Sequence, residues 1–285
     1  MGVHAEYRRL VMATLSEKTA TLRALMARPG SFVSAHPWDV GTTRILSTLG
    51  FEALGTASSG LAFSMGRKDA ENGVSRDEML AWAGAIAAAT HLPVTADLEN
   101  GFGDSPEDCA RTMREASAAG LCGGSIEDAT GEGHVLYDIA HATQRIKAAA
   151  DAAHALPVPF VLVARADGFL HGHRDVNDAI VRAKAYADAG ADMIFVPGLP
   201  DIESIRKVCA AVNKPVTVLV GRGNAYNVKD LTAAGAKEIG LGSTLFRTAW
   251  GTLFSAAKEV TEKGTFTFEA ASVPYETING MMLEK

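Results

Sequence analysis

The 285-residue chain is long enough for one large α/β barrel or for two ordinary domains. Its residues are 47% apolar and 21% charged, which is typical of a globular protein that builds a sizeable core. The net charge of −6 leaves no basic excess to neutralise phosphates, so nucleic acid is not expected as a main partner.

The cysteines and the apolar segments indicate the compartment. Cys109, Cys122 and Cys209 are far apart and form no C-x-x-C pair, which predicts buried thiols rather than a zinc site or a disulfide framework. The N-terminal residues lack the long apolar run of a signal peptide, and no stretch is apolar enough to span a membrane. We therefore expect a protein of the reducing cytoplasm with no membrane partner.

Strand-like and helix-like segments alternate along the chain. Residues 5–28 carry apolar positions at helical spacing, which predicts a leading helix that ends near Pro29. The alternation then begins, and one helix is predicted after each strand. The predicted strands are 32–35, 51–57, 94–99, 123–127, 160–166, 193–196, 216–220 and 239–242, and the predicted helices lie around 45–46, 79–89, 109–118, 139–153, 179–189, 202–212, 231 and 245–260.

Eight strand–helix units in a chain of this length predict an α/β fold of the (β/α)8 barrel type. From the fifth strand onward the strands are near-continuous apolar runs, as expected of parallel strands that are covered on both faces. We expect a single barrel domain over residues 1–285, preceded by the helix over 5–28 and followed by a tail over 265–285. The tail ends in a short helix and either caps the barrel or reaches a neighbouring subunit.

The third strand ends in two acidic residues, within the stretch P-V-T-A-D-L-E-N-G-F-G-D (93–104). In an extended strand, residues two apart point to the same face, so Asp97 and Glu99 are expected to project together. Two like charges aimed at one point repel each other unless a cation or a shared proton lies between them, and Mg²⁺ prefers oxygen ligands. The alternative is a solvated strand end whose acids face water.

Polar residues recur at the carboxyl ends of five consecutive strands, where barrels of this type have their active sites. Each of them alone has a structural explanation: Asp128 and Asp167 can cap the segments that follow, and Arg165 can neutralise them. Their common position favours a metal-centred site, because burying several carboxylates without a cation is costly. The set is Trp38, Asp39, Ser58, Ser59, Gly60, Asp97, Glu99, Glu127, Asp128, Arg165 and Asp167.

Four motifs carry a family resemblance. S-S-G-L (58–61), T-A-D-L-E-N-G-F-G (95–103), S-I-E-D (125–128) and V-A-R-A-D (163–167) resemble the isocitrate lyase/phosphoenolpyruvate mutase superfamily. Its members are (β/α)8 barrels that bind Mg²⁺ together with 2-oxo carboxylates or their enolates. The resemblance therefore implies the same fold, a small 2-oxo carboxylate or phosphonate as the substrate, and a homo-oligomer, a dimer or a tetramer that exchanges terminal helices.

The resemblance also assigns roles to individual residues. It implies that Asp97 is the principal ligand of Mg²⁺, with Mn²⁺ as a substitute, and that Glu99 and Glu127 bind the metal directly or through water. It implies that Arg165 pairs with the anionic substrate, and we count Arg165 and Glu127 among the catalytic residues. The residues expected to contact the substrate are Trp38, Ser59, Gly60, Leu61, Asp69 and Arg165.

The loop after Asp128 differs in sequence from the corresponding loop of the best-known members of this superfamily. Isocitrate and methylisocitrate lyases carry K-[KR]-C-G-H there, with the cysteine as the acid–base group, whereas residues 129–138 read A-T-G-E-G-H-V-L-Y-D. The loop lacks both the cysteine and the lysine, which argues against a lyase of that kind. Nor is the longer, asparagine-bearing loop of the phosphonopyruvate-forming mutases recognisable. His134 is the candidate that can protonate an enolate near neutral pH, and a solvated loop histidine is the alternative.

Two further loops carry candidate groups. His171 and His173 follow the fifth strand, where their spacing suits a metal pair or an ordinary polar loop. The turn over residues 221–224 is either an anion cradle or a plain connection between strand and helix.

These observations predict a Mg²⁺-dependent enzyme that cleaves a C–C bond next to the oxo group of a small 2-oxo acid through an enolate. A decarboxylase or a retro-aldol/Claisen-type lyase is favoured, because the departure of CO2 needs enolate stabilisation but no dedicated base. The alternatives are a phosphonate enzyme, either a mutase or a phosphonopyruvate hydrolase, and a non-catalytic barrel that binds 2-oxo acids.

Overall fold

The eight predicted strands form a closed parallel barrel in a computed structural model that describes residues 13–69, 73–221 and 226–282. Each strand pairs with the next in chain order, and the last pairs with the first. The (β/α)8 fold predicted from the sequence is thereby confirmed. The strands are β1 (Phe32–Ala35), β2 (Ala53–Gly55), β3 (Val94–Asp97), β4 (Gly123–Ile126), β5 (Val161–Arg165), β6 (Met193–Phe195), β7 (Val216–Leu219) and β8 (Glu238–Gly240).

Most of the described helices, though not α3, α10 and α11, start where a polar side chain caps the first turn. Ser75 and Ser105 each accept a hydrogen bond from the third helical N–H, and the acid at that position bonds back to the cap. The described helices are α1 (Leu15–Ala27), α2 (Val40–Thr48), α3 (Ser58–Ser64), α4 (Arg76–Ala88), α5 (Pro106–Ala118), α6 (Ile139–His154), α7 (Val176–Asp188), α8 (Ile202–Ala211), α9 (Val228–Ala233), α10 (Thr244–Lys263) and α11 (Tyr275–Met281).

Helix α1 packs against the end of the barrel that lies opposite the site described below. Leu22 and Leu25 join a buried cluster with Phe32 of β1 and Val161 of β5, the first residues of their strands. The helix begins at Leu15 because Thr14 has an extended backbone and caps it. The part of the predicted helix that precedes residue 13 lies outside the described residues.

The C-terminal segment is helical and largely exposed. Helix α10 buries Phe246, while Trp250, Leu253 and Phe254 on the same helix remain exposed. A 3₁₀ turn over Thr267–Ala271 and helix α11 complete the tail. No helix in the described part of the chain combines the length and the apolar character needed to cross a bilayer.

Candidate active site

A cavity of about 490 Å³ opens at the carboxyl ends of the strands. Seven of the residues expected to bind the metal, contact the substrate or act in catalysis line it, so the strand-end argument brings most of the expected groups to one place. The described lining contains six acids and one arginine, which makes it strongly negative. The predicted residues in the lining are Ser59, Asp69, Asp97, Glu99, Glu127, His134 and Arg165, and the remaining acids are Asp167 and Glu238.

Arg165, the last residue of β5, lies at the centre of the acidic groups. Its Nη1 is 3.0 Å from Oδ1 of Asp97 and 2.8 Å from Oε1 of Glu127. Its Nε and Nη2 donate to the two carboxylate oxygens of Asp167 at 3.1 and 2.9 Å. One guanidinium therefore connects carboxylates from three neighbouring strands, which uses the fixed donor fork of arginine.

Asp97 and Glu99 both reach the cavity, but not by the geometry predicted for them. Strand β3 ends at Asp97, and Glu99 has a left-handed backbone with φ of +47°. The assumption of an extended strand through residue 99 was therefore wrong. The turn directs the N–H of Glu99 to Oδ1 of Asp97 at 3.3 Å, while the N–H of Ser58 lies 3.4 Å from Oδ2. A non-glycine residue in this region costs free energy, which is common at functional sites.

The crowding of acids shifts their protonation. Burial, together with the charges of Asp97 and Asp69, raises the pKa of Glu99 to about 8. Burial also raises the pKa of Glu127 well above its usual range, although Arg165 opposes the shift. Burial raises the pKa of Asp167 to about 6, again against the effect of Arg165. The single arginine thus leaves an excess of negative charge that protons or a cation must balance.

The donor set fits a hard divalent cation in its chemistry. Carboxylates that repel one another are what such an ion neutralises, and Mg²⁺ keeps several waters while it binds one or two of them. The three predicted ligands Asp97, Glu99 and Glu127 do not converge on one point, however, because Arg165 lies against two of them. Over residues 13–69, 73–221 and 226–282, no group of three or more His, Cys, Asp or Glu side chains is arranged to hold a metal ion.

Three predicted substrate contacts lie behind the cavity wall. The segment after β2, which lies outside the helices predicted from the sequence, is helix α3, in which the N–H of Gly60 donates to the carbonyl of Ala57 at 2.8 Å. Leu61 is buried in the apolar core. Trp38 packs edge-on against Phe246 at 5.3 Å. Gly60, Leu61 and Trp38 are therefore absent from the lining that the structure describes, whereas Ser59 belongs to it.

Two buried arginines that the sequence analysis missed support the site from behind. Arg145 of α6 donates to the carbonyls of Asn100, Gly103 and Glu127, and its guanidinium lies 4.1 Å from the ring centre of Tyr137. It ties the β3 and β4 loops together. Nothing in its local sequence signals this role, because its acceptors are backbone groups of distant loops.

The second arginine is part of a network around Asp128. This buried carboxylate accepts from the N–H of Asp167 at 2.8 Å, from Arg182 at 3.1 Å and from the hydroxyl of Tyr186 at 2.6 Å. Asp128 thus fixes the backbone of Asp167, whose carboxylate accepts two hydrogen bonds from Arg165. The helix-cap explanation considered for Asp128 is replaced by this positioning role.

Two loops form the roof of the cavity. The β4 loop (residues 127–138) folds back on itself through a bridge between Ala129 and Leu136, and the β5 loop (residues 166–175) lies beside it. His134 from the first loop and His171 from the second both line the cavity. His173 is exposed and does not belong to the described lining, so His171 and His173 do not share the cavity. Of the turn over 221–224, only Gly221 lies within the described residues.

The comparisons with known proteins agree with the barrel fold. A model of the phosphoenolpyruvate phosphomutase family matches residues 22–261. The chain belongs to the isocitrate lyase/phosphoenolpyruvate mutase superfamily. It is 33% identical over 213 residues to 2-methylisocitrate lyase of Shewanella oneidensis, an alignment that covers 69% of this chain and 71% of the relative. It is 27% identical over 254 residues to 2,3-dimethylmalate lyase of Eubacterium barkeri, covering 86% of this chain and 84% of that one.

A solved structure supports the assignment to the superfamily. A candidate lyase/mutase from Burkholderia cenocepacia J2315 is 47% identical, with a TM-score of 0.90, and the match covers 93% of this chain and 95% of that one. A candidate phosphonomutase from the same organism is 34% identical with a TM-score of 0.80, covering 86% of this chain and 99% of that one. The superfamily members compared are thus lyases and mutases that act on small carboxylates or phosphonates.

Proposed function

We propose that the protein is a Mg²⁺-dependent lyase that cleaves a C–C bond next to the oxo group of a small 2-oxo acid. The observation that carries the proposal is the contact of Arg165 with Asp97 and Glu127 inside one acidic cavity. A cation and an arginine side by side suit a substrate that bears a carboxylate next to a carbonyl. The metal would be held by Asp97, Glu99 and Glu127, with Mn²⁺ as a substitute, and for this Arg165 must give up at least one of its contacts with Asp97 and Glu127.

The chain's own residues supply binding and orientation. When bound, the cation acts as a Lewis acid toward the oxygen that takes up charge. Arg165 exchanges one of the two carboxylate contacts of its Nη1 for the substrate carboxylate, which accepts a charge-assisted hydrogen bond from this nitrogen. Asp167 keeps the guanidinium in place during this exchange, because it holds Nε and Nη2 and leaves Nη1 to the cavity. Ser59 and Asp69 line the edge nearest to α3.

Bond cleavage then needs no dedicated base when CO2 is the leaving group. The bond that breaks joins the carbon next to the carbonyl to the departing carboxylate: its electron pair becomes the C=C bond of the enolate, the π pair of the carbonyl moves onto its oxygen, and CO2 leaves. Preplaced donors around that oxygen stabilise the charge without reorganisation. The enolate afterwards takes up a proton on carbon, and His134 and His171 in the roof are the histidines of the described lining nearest to this role in chemistry.

A phosphonate substrate is the second candidate. The family model and the 34% identical candidate phosphonomutase favour it, and so does the absence of the lyase cysteine in the β4 loop. Phosphate release from phosphonopyruvate would identify a hydrolase, and its interconversion with phosphoenolpyruvate would identify a mutase. Stabilisation by a 2-oxo acid without any product would identify a non-catalytic binding barrel.

The test is a mass-spectrometric screen of 2-oxo acids and phosphonates with Mg²⁺. We expect cleavage of a 2-oxo acid by the wild type, and none by Asp97→Ala. Asp151→Ala, an exposed acid on α6 that pairs with Lys147, is the matched control and should retain activity. Full turnover by Asp97→Ala would contradict the proposed site.

A second variant separates substrate binding from metal binding. Arg165→Ala should weaken the binding of a 2-oxo acid far more than that of Mg²⁺, because the guanidinium is the anion-binding group. Isothermal titration with each ligand separately measures both affinities. Equal losses would identify Arg165 as a structural residue that holds the acids together.

We also propose that the protein is a homo-oligomer, a dimer or a tetramer, of the reducing cytoplasm. The exposed Trp250, Leu253 and Phe254 of α10 support the assembly, and the free Cys109 and Cys122 support the compartment. Sedimentation equilibrium measures the subunit number, and a monomer at micromolar concentration would contradict it.

A further inference from the structure

The roof of the cavity contains two histidines from different loops that stack on each other. The rings of His134 and His171 lie 4.8 Å apart between centres and 8° from parallel. The β4 loop that carries His134 is held by two hydrogen bonds between Thr130 and Val135: the N–H of Thr130 donates to the carbonyl of Val135, and the N–H of Val135 donates to Oγ1 of Thr130. His134 itself has a left-handed backbone with φ of +49°, which a non-glycine residue adopts at a cost. The ring is therefore placed by a built loop and not by chance contact.

One nitrogen of this pair lacks a partner. Nε2 of His171 is buried and forms no hydrogen bond with any described residue, although the ring belongs to the cavity lining. A buried ring nitrogen without a partner is unfavourable whether it carries a proton or not. A substrate that fills the cavity and shifts the ring slightly supplies the missing partner.

The electrostatic surroundings favour one proton on the pair. Burial lowers the pKa of His171, and the nearby charges of His134, Arg165 and His173 lower it further, while Asp128 opposes them. Two imidazolium rings in face-to-face contact repel each other, so the second proton binds less readily than the first. The pair therefore takes up one proton more readily than two, and burial disfavours His171 as the ring that carries it.

We propose that the stacked pair His134–His171 is the acid–base group of this site, in place of the cysteine that the β4 loop lacks. This inference rests on the proposed function. In the forward direction, one imidazolium gives its proton to the enolate carbon, which forms a C–H bond and leaves a neutral imidazole. In the reverse direction, the imidazole takes a proton from the carbon next to the carbonyl and regenerates the enolate. No oxidant or reductant takes part.

The reverse step gives a direct assay. Pyruvate and 2-oxobutyrate are incubated with the wild-type enzyme and Mg²⁺ in D2O, and the loss of the C3 proton signal is followed by NMR. We expect His134→Gln and His171→Gln to lose about 10²–10⁴-fold in exchange rate, the usual effect of removing a general acid–base group. His173→Gln is the matched control in the same loop, and its rate should equal that of the wild type.

A second readout separates proton transfer from a merely structural role. Oxalate resembles the planar enolate and needs no proton, so both histidine variants should bind it with wild-type affinity, whereas Arg165→Ala should not. The pH profile of exchange should lose its near-neutral limb in the histidine variants. In a ¹⁵N titration, His134→Gln should raise the pKa of His171, because the repelling neighbour is gone.

The outcomes distinguish this inference from the function on which it rests. Wild-type exchange rates in His134→Gln and His171→Gln, with exchange abolished in Asp97→Ala, would overturn the role of the pair and leave the lyase proposal standing. A loss of oxalate binding equal to the loss of exchange would also overturn it. No exchange by the wild type with either 2-oxo acid would count against both.

Discussion

The network behind Asp167 makes the sharpest prediction about stability. Asp128 is buried, with 1% of its surface exposed, and its carboxylate accepts three hydrogen bonds, two of them from Arg182 and Tyr186. Asp128→Asn keeps the shape but removes the charge and one acceptor. Breaking a buried ion pair on one side costs about 3–5 kcal/mol, because the other charge remains buried.

A smaller change in the same network, Tyr186→Phe, measures the contribution of one hydrogen bond to the free energy of unfolding. Tyr186→Phe removes the hydroxyl that lies 2.6 Å from Asp128 and leaves the other two donors in place. A hydrogen bond to a charged group contributes about 1.5–3 kcal/mol, so we expect a loss of about 2 kcal/mol. Both losses are large against a total stability of about 5–15 kcal/mol.

Urea unfolding followed by far-UV circular dichroism measures these losses. Tyr275→Phe is the matched control, since Tyr275 on α11 is 76% exposed and its hydroxyl should contribute little. The expected order of stability is wild type and Tyr275→Phe, then Tyr186→Phe, then Asp128→Asn. If Tyr186→Phe matched its control, or if Asp128→Asn lost less than about 0.5 kcal/mol, the argument from the buried network would fail.

Two further predictions follow from buried groups near the cavity. Burial lowers the pKa of His36 to about 4, below its unfolded value near 6.5, so the folded state excludes a proton that the unfolded state binds. Stability should therefore fall by up to about 3 kcal/mol as the pH drops from 6.5 to 4, and thermal melts of His36→Gln should lack this part of the pH dependence. Arg145→Met should lower stability by about 3 kcal/mol or more, because it leaves buried carbonyls without donors. Arg114→Met, at an exposed arginine on α5, should melt within about 2 °C of the wild type if burial is the cause.

The architecture was predictable from the sequence for a local reason. A buried parallel strand is a short apolar run, and an amphipathic helix with a capping residue has its own period, so the eight units can be recognised one at a time. Apart from β1, the strand ends were misplaced by one or two residues, and α3 was not predicted as a helix. That helix depends on its packing between Trp38 and the core, which no local pattern records.

The composition of the site was predictable for a topological reason. In a parallel barrel every strand end opens on the same face, so Asp97, Glu127 and Arg165 must be near one another wherever the loops go. Their order within the cavity was not predictable. Whether Arg165 lies against the acids or apart from them depends on Asp167 and, behind it, on Asp128.

The sequence by itself determined the fold, the family and the presence of several acids at the carboxyl end of the barrel. These features depend on patterns within single segments and on the topology that the patterns imply. Only the tertiary structure decided that Glu99 turns left-handed, that Arg165 bridges three carboxylates, and that His134 meets His171. Each of these depends on contacts between loops that are distant in the chain. Such contacts exist only after the barrel has closed, when burial has changed the cost of every charge within it.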